Sequence, residues 1–133
     1  MQRQTIGRHG LRYIANDVYR LKKEISLTAK NGEEDSTKET ELMETFFYDS
    51  CHLIIKHDMD YSYSKELQII VYTSADGIIL NSAPYKDFTI ETKEVFTVLI
   101  PPECNYIQVK FQNKDPENST KFIYVLVGIV KYR

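Results

Sequence analysis

Glu94-Val-Phe-Thr-Val-Leu-Ile-Pro-Pro102, Asn105-Tyr-Ile-Gln-Val-Lys-Phe-Gln-Asn113 and Lys121-Phe-Ile-Tyr-Val-Leu-Val-Gly-Ile-Val-Lys-Tyr-Arg133 decide the fold class. Each is a short β-type run, alternating or continuously apolar, bounded by turn residues. Together with Lys86-Asp-Phe-Thr-Ile-Glu91 just before them, they predict four strands of an antiparallel sheet. The run from Phe122 to Val130 is apolar at almost every position. A strand buried on both faces has that composition, so it is expected at the centre of a sheet. Gly128 in its middle predicts a bulge or a close backbone approach. Pro101-Pro102 cannot lie in a central ladder and ends a strand. Glu91 to Glu94 is expected to be a tight polar hairpin.

Working back toward the N-terminus, Phe46-Phe-Tyr, Cys51-His-Leu-Ile-Ile-Lys, Glu66-Leu-Gln-Ile-Ile-Val-Tyr-Thr and Ile78-Ile-Leu supply further strand candidates. Seven to eight short strands with turns between them predict a mainly β chain, an antiparallel, jelly-roll-like β-sandwich, with a closed barrel as the alternative. This domain is expected over 44–133.

The first 43 residues differ in character. Residues 1–30 carry a charge balance of +5 and residues 31–50 a balance of −6. Leu11, Ile14, Val18, Leu21 and Ile25 recur at 3-4-3-4 spacing. That spacing predicts an amphipathic helix over about 11–25 whose stripe docks on its own domain or on a partner, with a β-strand as the alternative because Ile25-Ser-Leu-Thr also alternates. Residues 1–30 are therefore expected to be a basic arm, and 31–43 an acidic linker without enough apolar surface to order itself.

The composition is that of an ordinary globular protein. No apolar run reaches the roughly 20 residues of a membrane helix. Met1 to Gly10 has no apolar core of a signal peptide, which predicts cytoplasmic synthesis, with incorporation into a virion as one destination. Cys51 and Cys104 are expected to be free, buried thiols. Neither has a second Cys or His at metal-ligand spacing, so no metal and no cofactor is expected. The motifs of serine hydrolases, phosphate-binding loops, dinucleotide sites and zinc proteases are absent, which predicts a non-enzyme. Basic charge in the arm suits phosphates, but no nucleic-acid motif accompanies it and acidic residues follow at once, so a nucleic-acid partner is not expected.

Two surfaces remain. The arm stripe predicts contacts with protein subunits, in a homo-oligomer or a larger assembly. Asp58, Asp60, Tyr61 and Tyr63 in one connection, and Tyr85 in another, predict a loop surface for a glycan or peptide. Tyrosine gives large contact area with a polar tip at low entropic cost. Asp58, Asp60 and Ser62 have calcium-loop spacing, but Tyr63 and Ile69 stand where such a loop needs Gly and Glu. The assembly reading, of the virus- or phage-particle kind, is the principal expectation, and the ligand module is the alternative.

Overall fold

A computed structural model describes residues 16–29, 36–57, 64–90, 94–101 and 104–131. They form nine strands: β1 (Asn16–Leu27), β2 (Thr37–Glu39), β3 (Met43–Glu44), β4 (Ser50–His57), β5 (Leu67–Ser74), β6 (Lys86–Ile90), β7 (Glu94–Ile100), β8 (Tyr106–Asn113) and β9 (Thr120–Lys131). One sheet has the order β1-β9-β4-β7, and the other β2-β8-β5-β6 with β3 also on β8. All pairings are antiparallel.

The pairing is nested. β1 pairs with β9, β2 and β3 with β8, β4 with β7, and β5 with β6. A long two-stranded ribbon wound on itself gives this order, and closing β9 on β4 and β8 on β5 completes two sheets. This is the jelly-roll order of an eight-position sandwich. β2 and β3 count as one position because they are two pieces of a single edge strand. Thr40 bridges them: its N–H donates to Val109 O at 2.9 Å, and Val109 N–H donates to Thr40 Oγ1 at 3.0 Å.

The expected helix is a strand. Asn16 to Leu27 is in unbroken register with β9, from Asn16 opposite Lys131 to Leu27 opposite Thr120. Leu11 and Ile14 lie outside the described residues. A 3-4 spacing in this segment coexists with alternation at Tyr19, Leu21, Ile25 and Leu27, and the free edge of β9 decides between them. A ladder along a sheet already packed on a core outweighs the weak intrinsic preference for a helix. The stripe is consequently split. Ile25 and Leu21 face inward beside Phe122 and Leu126, whereas Val18 faces outward beside Ile129. The expected hairpin at 91–94 is also corrected. β6 and β7 follow one another but lie in different sheets, so they do not pair as a hairpin.

The core lies between the sheets, where Leu53, Ile55, Leu67, Ile69, Val71, Ile90, Ile107, Val109, Phe111 and Phe122 are fully buried. Each such side chain contributes about 1.5–3 kcal/mol. Phe111 packs on Phe122 and Tyr124 with ring centroids 4.8 and 5.4 Å apart. His57 is buried, bonded through Nε2 to Thr120 Oγ1 and set edge-on to Phe122. Cys51 and Cys104 are free and buried, and burial, followed by the neighbouring Cys104, pushes the Cys51 thiol up to about 11.

One end of the sandwich is locked by a buried polar network. Ser64 Oγ donates to Asn113 Oδ1 at 2.6 Å, and Asn113 Nδ2 donates to Thr28 O and Asn118 O. Asp115 is buried at the same end. Burial pushes its carboxyl up, but hydrogen bonds from Glu117 N, the Asn118 side chain, Lys65 N and Asn118 N outweigh that and hold it at about 2. A carboxyl depressed in the fold contributes stability above its unfolded pKa and loses it as pH falls through the folded value. Stability is therefore expected to decline between about pH 4 and pH 2. Asp115→Ala, by removing the acceptor of four part-buried hydrogen bonds, is expected to cost about 1–2 kcal/mol at pH 7 and to flatten that acid limb. Chemical denaturation across pH reads both, and an unchanged acid limb would show that Asp115 does not govern it.

Gly128 is explained at the opposite end. A methyl group there would lie 2.5 Å from the Tyr48 ring, so glycine lets Tyr48 lie flat on β9. The expected close approach is present, and the β1 and β4 ladders run through Gly128 without a bulge. Gly128→Val is expected to expel Tyr48 and cost about 1–3 kcal/mol in thermal or denaturant melts. Gly128→Val with Tyr48→Ala should recover part of the loss, and the absence of recovery would mean the ring is not the obstacle.

Candidate functional site: the uncovered surfaces of the sandwich

The two sheets turn one face each to the core and one face outward, and the outward faces differ. On the β2-β8-β5-β6 sheet the outward positions, set by register, are Gln112, Lys110 and Gln108 of β8, Gln68 and Tyr72 of β5, and Thr89 and Asp87 of β6. Gln68 Nε2 donates to Asp87 Oδ1 at 2.8 Å across the ladder. Ile70 is the apolar member of this face, buried between Lys110 and Asp87. This is a face that water can cover.

On the β1-β9-β4-β7 sheet the outward row of β9 is Ile123, Val125, Val127 and Ile129. Val18 flanks it on β1 and Ile54 on β4, and Val95 and Leu99, with exposures of 54% and 57%, lie one strand further out on β7, beyond Lys56 and His52. Ile123, Val125, Val127, Ile129 and Ile54 are half-buried, and no described element lies over them. Arg20, Lys22, Glu24 and Lys56 border the row. Lys121 and Glu24 form an ion pair at 3.5 Å. The sequence predicted two-sided burial for β9. The described chain covers one of its sides.

A second opening lies between the layers. Going along the inward face of β1 from its C-terminal end, Leu27 is buried, Ile25 is half-buried, Lys23 is exposed, Leu21 is 40% exposed and Tyr19 is 47% exposed. The sandwich thus gapes toward the start of β1. The gap is a cleft of about 320 Å³ with walls that include Tyr19, Leu21, Met43 and Tyr48. Glu41 and Glu44 stand at it, and burial together with the Glu41 charge raises the Tyr124 hydroxyl. The Tyr48 and Tyr19 rings pack on one another there, with centroids 5.8 Å apart.

A third apolar feature is the tip formed by the 45–49 and 75–85 connections. Phe46 stacks on Phe47 at 4.2 Å and on Tyr106 at 5.7 Å. Tyr106 in turn underlies Gly77, whose φ of 78° is a left-handed conformation suited to glycine. Asp76 Oδ1 accepts Ile78 N–H and Ile79 N–H, and these bonds lower its carboxyl pKa. Both isoleucines stay exposed.

Val18, Leu21 and Ile25 are brought to one strand but to two faces of it. Asp58, Asp60, Tyr61 and Tyr63 lie outside the described residues. Tyr85 sits by the start of β6, where its N–H donates to Val71 O and its hydroxyl donates to Leu99 O. His57 and Ser64, which flank the 58–63 connection, are at the other end of the sandwich. Tyr85 borders a shallow groove with Phe88, Phe96 and Leu99. Among the described residues no group of three His, Cys, Asp or Glu could hold a metal ion, and no helix is long and apolar enough to cross a membrane. The apolar outer face is not encoded in any single strand but in the assembly of β9 with its neighbours. Its local signal is the non-alternating character of Phe122 to Val130.

No protein-family model and no curated relative matches the chain. Among solved structures, it is similar to the protein of "Bacillus endospore appendages", a family of disulfide-linked pili, at 9% identity, covering 87% of this chain and 91% of that one with a TM-score of 0.47. It is similar to PirA at 11% identity, covering 84% and 93% with a TM-score of 0.47. A third likeness, to Desmodium yellow mottle tymovirus, has 8% identity, 90% coverage of both chains and a TM-score of 0.40. Likenesses at this level carry nothing about function.

Proposed function

We propose that this protein is a structural subunit of a larger protein assembly, a particle shell of the virus or phage kind being one such assembly, and that it works by packing rather than by catalysis. One observation carries this reading. Of two outward sheet faces built on the same fold, one is polar and the other presents the row Ile123, Val125, Val127 and Ile129 with Val18 and Ile54 beside it. Contiguous apolar surface of this kind marks a protein-contact face.

The magnitudes are consistent with a stable contact. Four strands about 4.8 Å apart and about seven residues or more in length give a face on the order of 500 Å² in plan, close to the ~800 Å² of accessible surface that each partner of a standard interface buries. The β9 row itself carries no charge, and Arg20, Lys22 and Glu24 on β1 and His52 and Lys56 on β4 flank it, the arrangement of an interface with a dry centre and a wet rim.

The test uses the full chain. Light scattering after size exclusion is expected to show an oligomer, and Val125→Lys, at the centre of the row, is expected to weaken it by about 30-fold or more. The side chain is half-buried and faces away from the core, so circular dichroism and melting temperature should change little. Gln108→Lys on the polar face is the control and should leave assembly intact. A wild-type chain that stays monomeric up to about 0.1 mM, or one whose assembly ignores Val125→Lys, would overturn the reading.

A further inference from the structure

We propose that the open edge of β7 pairs with the β7 edge of a second copy of this chain, antiparallel, about a twofold axis at Phe96. The inference rests on the assembly reading and adds to the outward face a second contact, made by the backbone.

A sheet edge carries unpaired N–H and C=O groups that will bond any strand that reaches them, and proteins ordinarily blunt such edges with charge, shortness or breaks. Three edges of this sandwich are blunted. β1 carries Asp17, Arg20, Lys22, Lys23 and Glu24. The edge made by β2 and β3 is two short pieces with Lys38, Glu39 and Glu44. β6 is five residues long and includes Lys86 and Asp87. β7 is different. After Glu94 it runs Val95-Phe-Thr-Val-Leu-Ile100, with no charge, no Gly and no Pro. It pairs with β4 on one side, and no described element pairs with the other.

One hydrogen bond identifies the backbone groups on the open side. The Tyr85 hydroxyl donates to Leu99 O at 3.1 Å, so Leu99 turns its carbonyl away from β4. Antiparallel alternation then places the N–H and C=O of Val95 and Thr97 on the same open edge, and those of Phe96 and Val98 toward β4. Leu99 O is already taken by Tyr85, which leaves Val95 and Thr97. A twofold axis at Phe96 sets Val95 opposite Thr97 of the second copy, and Thr97 opposite its Val95, for four backbone hydrogen bonds.

The side chains agree with this axis. Phe96 faces the core side by its register with Ile55, yet it is 37% exposed because the layers end at this edge. Its ring packs on Phe88 of β6 with centroids 5.5 Å apart, in a groove of about 370 Å³ bordered by Tyr85 and Leu99. Lys86, the cation of this groove, stands 5.5 Å over the Tyr85 ring. Across the axis the two Phe96 residues meet at a non-hydrogen-bonded position, where opposed side chains are closest and aromatic pairs stabilise a sheet.

Two arguments make the partner a second copy. A strand laid on Val95 to Thr97 must bring no unpaired charge to that stretch, and among the described edges β7 itself is the one that meets this condition. The twofold also joins two four-stranded sheets into one of eight strands and keeps both apolar β9 rows on the same side of it, continuous with the contact face already described. Six residues of strand, about 20 Å, across a sandwich about 20 Å thick give on the order of 400 Å² per partner. That is the low end of specific interfaces, so the edge alone is expected to hold a dimer at about 10 μM, with the outward face supplying the rest.

The experiment uses the full chain carrying Val125→Lys, which disables the outward face and leaves the edge. Sedimentation velocity is expected to show a monomer–dimer equilibrium near 10 μM. Thr97→Pro, which removes an edge-facing N–H outside the β4 ladder, is expected to weaken this dimer about 30-fold or more with circular dichroism unchanged. Thr97→Lys keeps the N–H but adds a charge at the edge, and should weaken the dimer about tenfold even if proline disturbs the fold. Gln108→Lys is the control and should leave it intact. A Val95→Cys chain mixed with a Thr97→Cys chain under mild oxidation should form more disulfide dimer than either alone, because that pair brings Cα atoms to about 5.5 Å. A Val125→Lys chain that stays monomeric at about 0.1 mM, or a dimer that ignores both Thr97 variants, would overturn this inference alone, provided the unsubstituted chain assembles. A disulfide that Thr97→Cys forms as readily by itself would overturn the axis at Phe96. An unsubstituted chain that never assembles removes the assembly reading as well.

Discussion

Two ladders meet on β9. Its backbone bonds β1 on one side and β4 on the other, over seven or more residues each. Its inward side chains Phe122, Tyr124 and Leu126 form the middle of the core, and its outward side chains form the apolar row. The position of nearly every other element follows from this. β1 can be a strand because β9 offers it an edge, Tyr48 can cover β9 because residue 128 has no side chain, and β7 reaches the sheet only through β4.

The same strand shows how much of the fold was legible in the sequence. Alternation, turn residues and the prolines at 101 and 102 were enough to predict an antiparallel sandwich, because those signals are local. The continuous apolar run of Phe122 to Val130 marked a central strand correctly. It also implied that both faces are covered, and the structure shows that the described chain supplies one cover. The sequence carried the information, but assigning the second cover requires knowing which elements pack where.

The misreadings share a cause. Residues 16–25 satisfy a helical spacing and a strand alternation at once, and only the register with β9, more than a hundred residues away along the chain at Asn16, resolves the ambiguity. The 91–94 segment looks like a hairpin because its flanks are strands close in sequence. A jelly roll sends those flanks to different sheets. The cleft was the least legible feature of the candidate sites. It exists because Tyr19 and Leu21 face a gap at β3, a relation between layers that no periodicity encodes. The buried network of Ser64, Asn113, Asp115 and Asn118 was equally hidden, since its bonds join residues as much as 85 positions apart in the sequence, Asn113 to Thr28.

The nested pairing has a kinetic consequence. Hairpins of neighbouring strands close small loops, whereas joining β1 to β9 closes almost the whole described chain. Such topologies have high contact order and fold in milliseconds to seconds. During that time β1 and the β4-β7 pair lack the strand between them, because β9 is synthesised after all the others. The edges of β1 and β4 then stand open, with alternating apolar side chains on both, in the form most prone to pairing with another chain. The fold thus spends its slowest phase exposing strand edges that a neighbouring copy could occupy, so crowding among nascent copies competes directly with completion of the sheet.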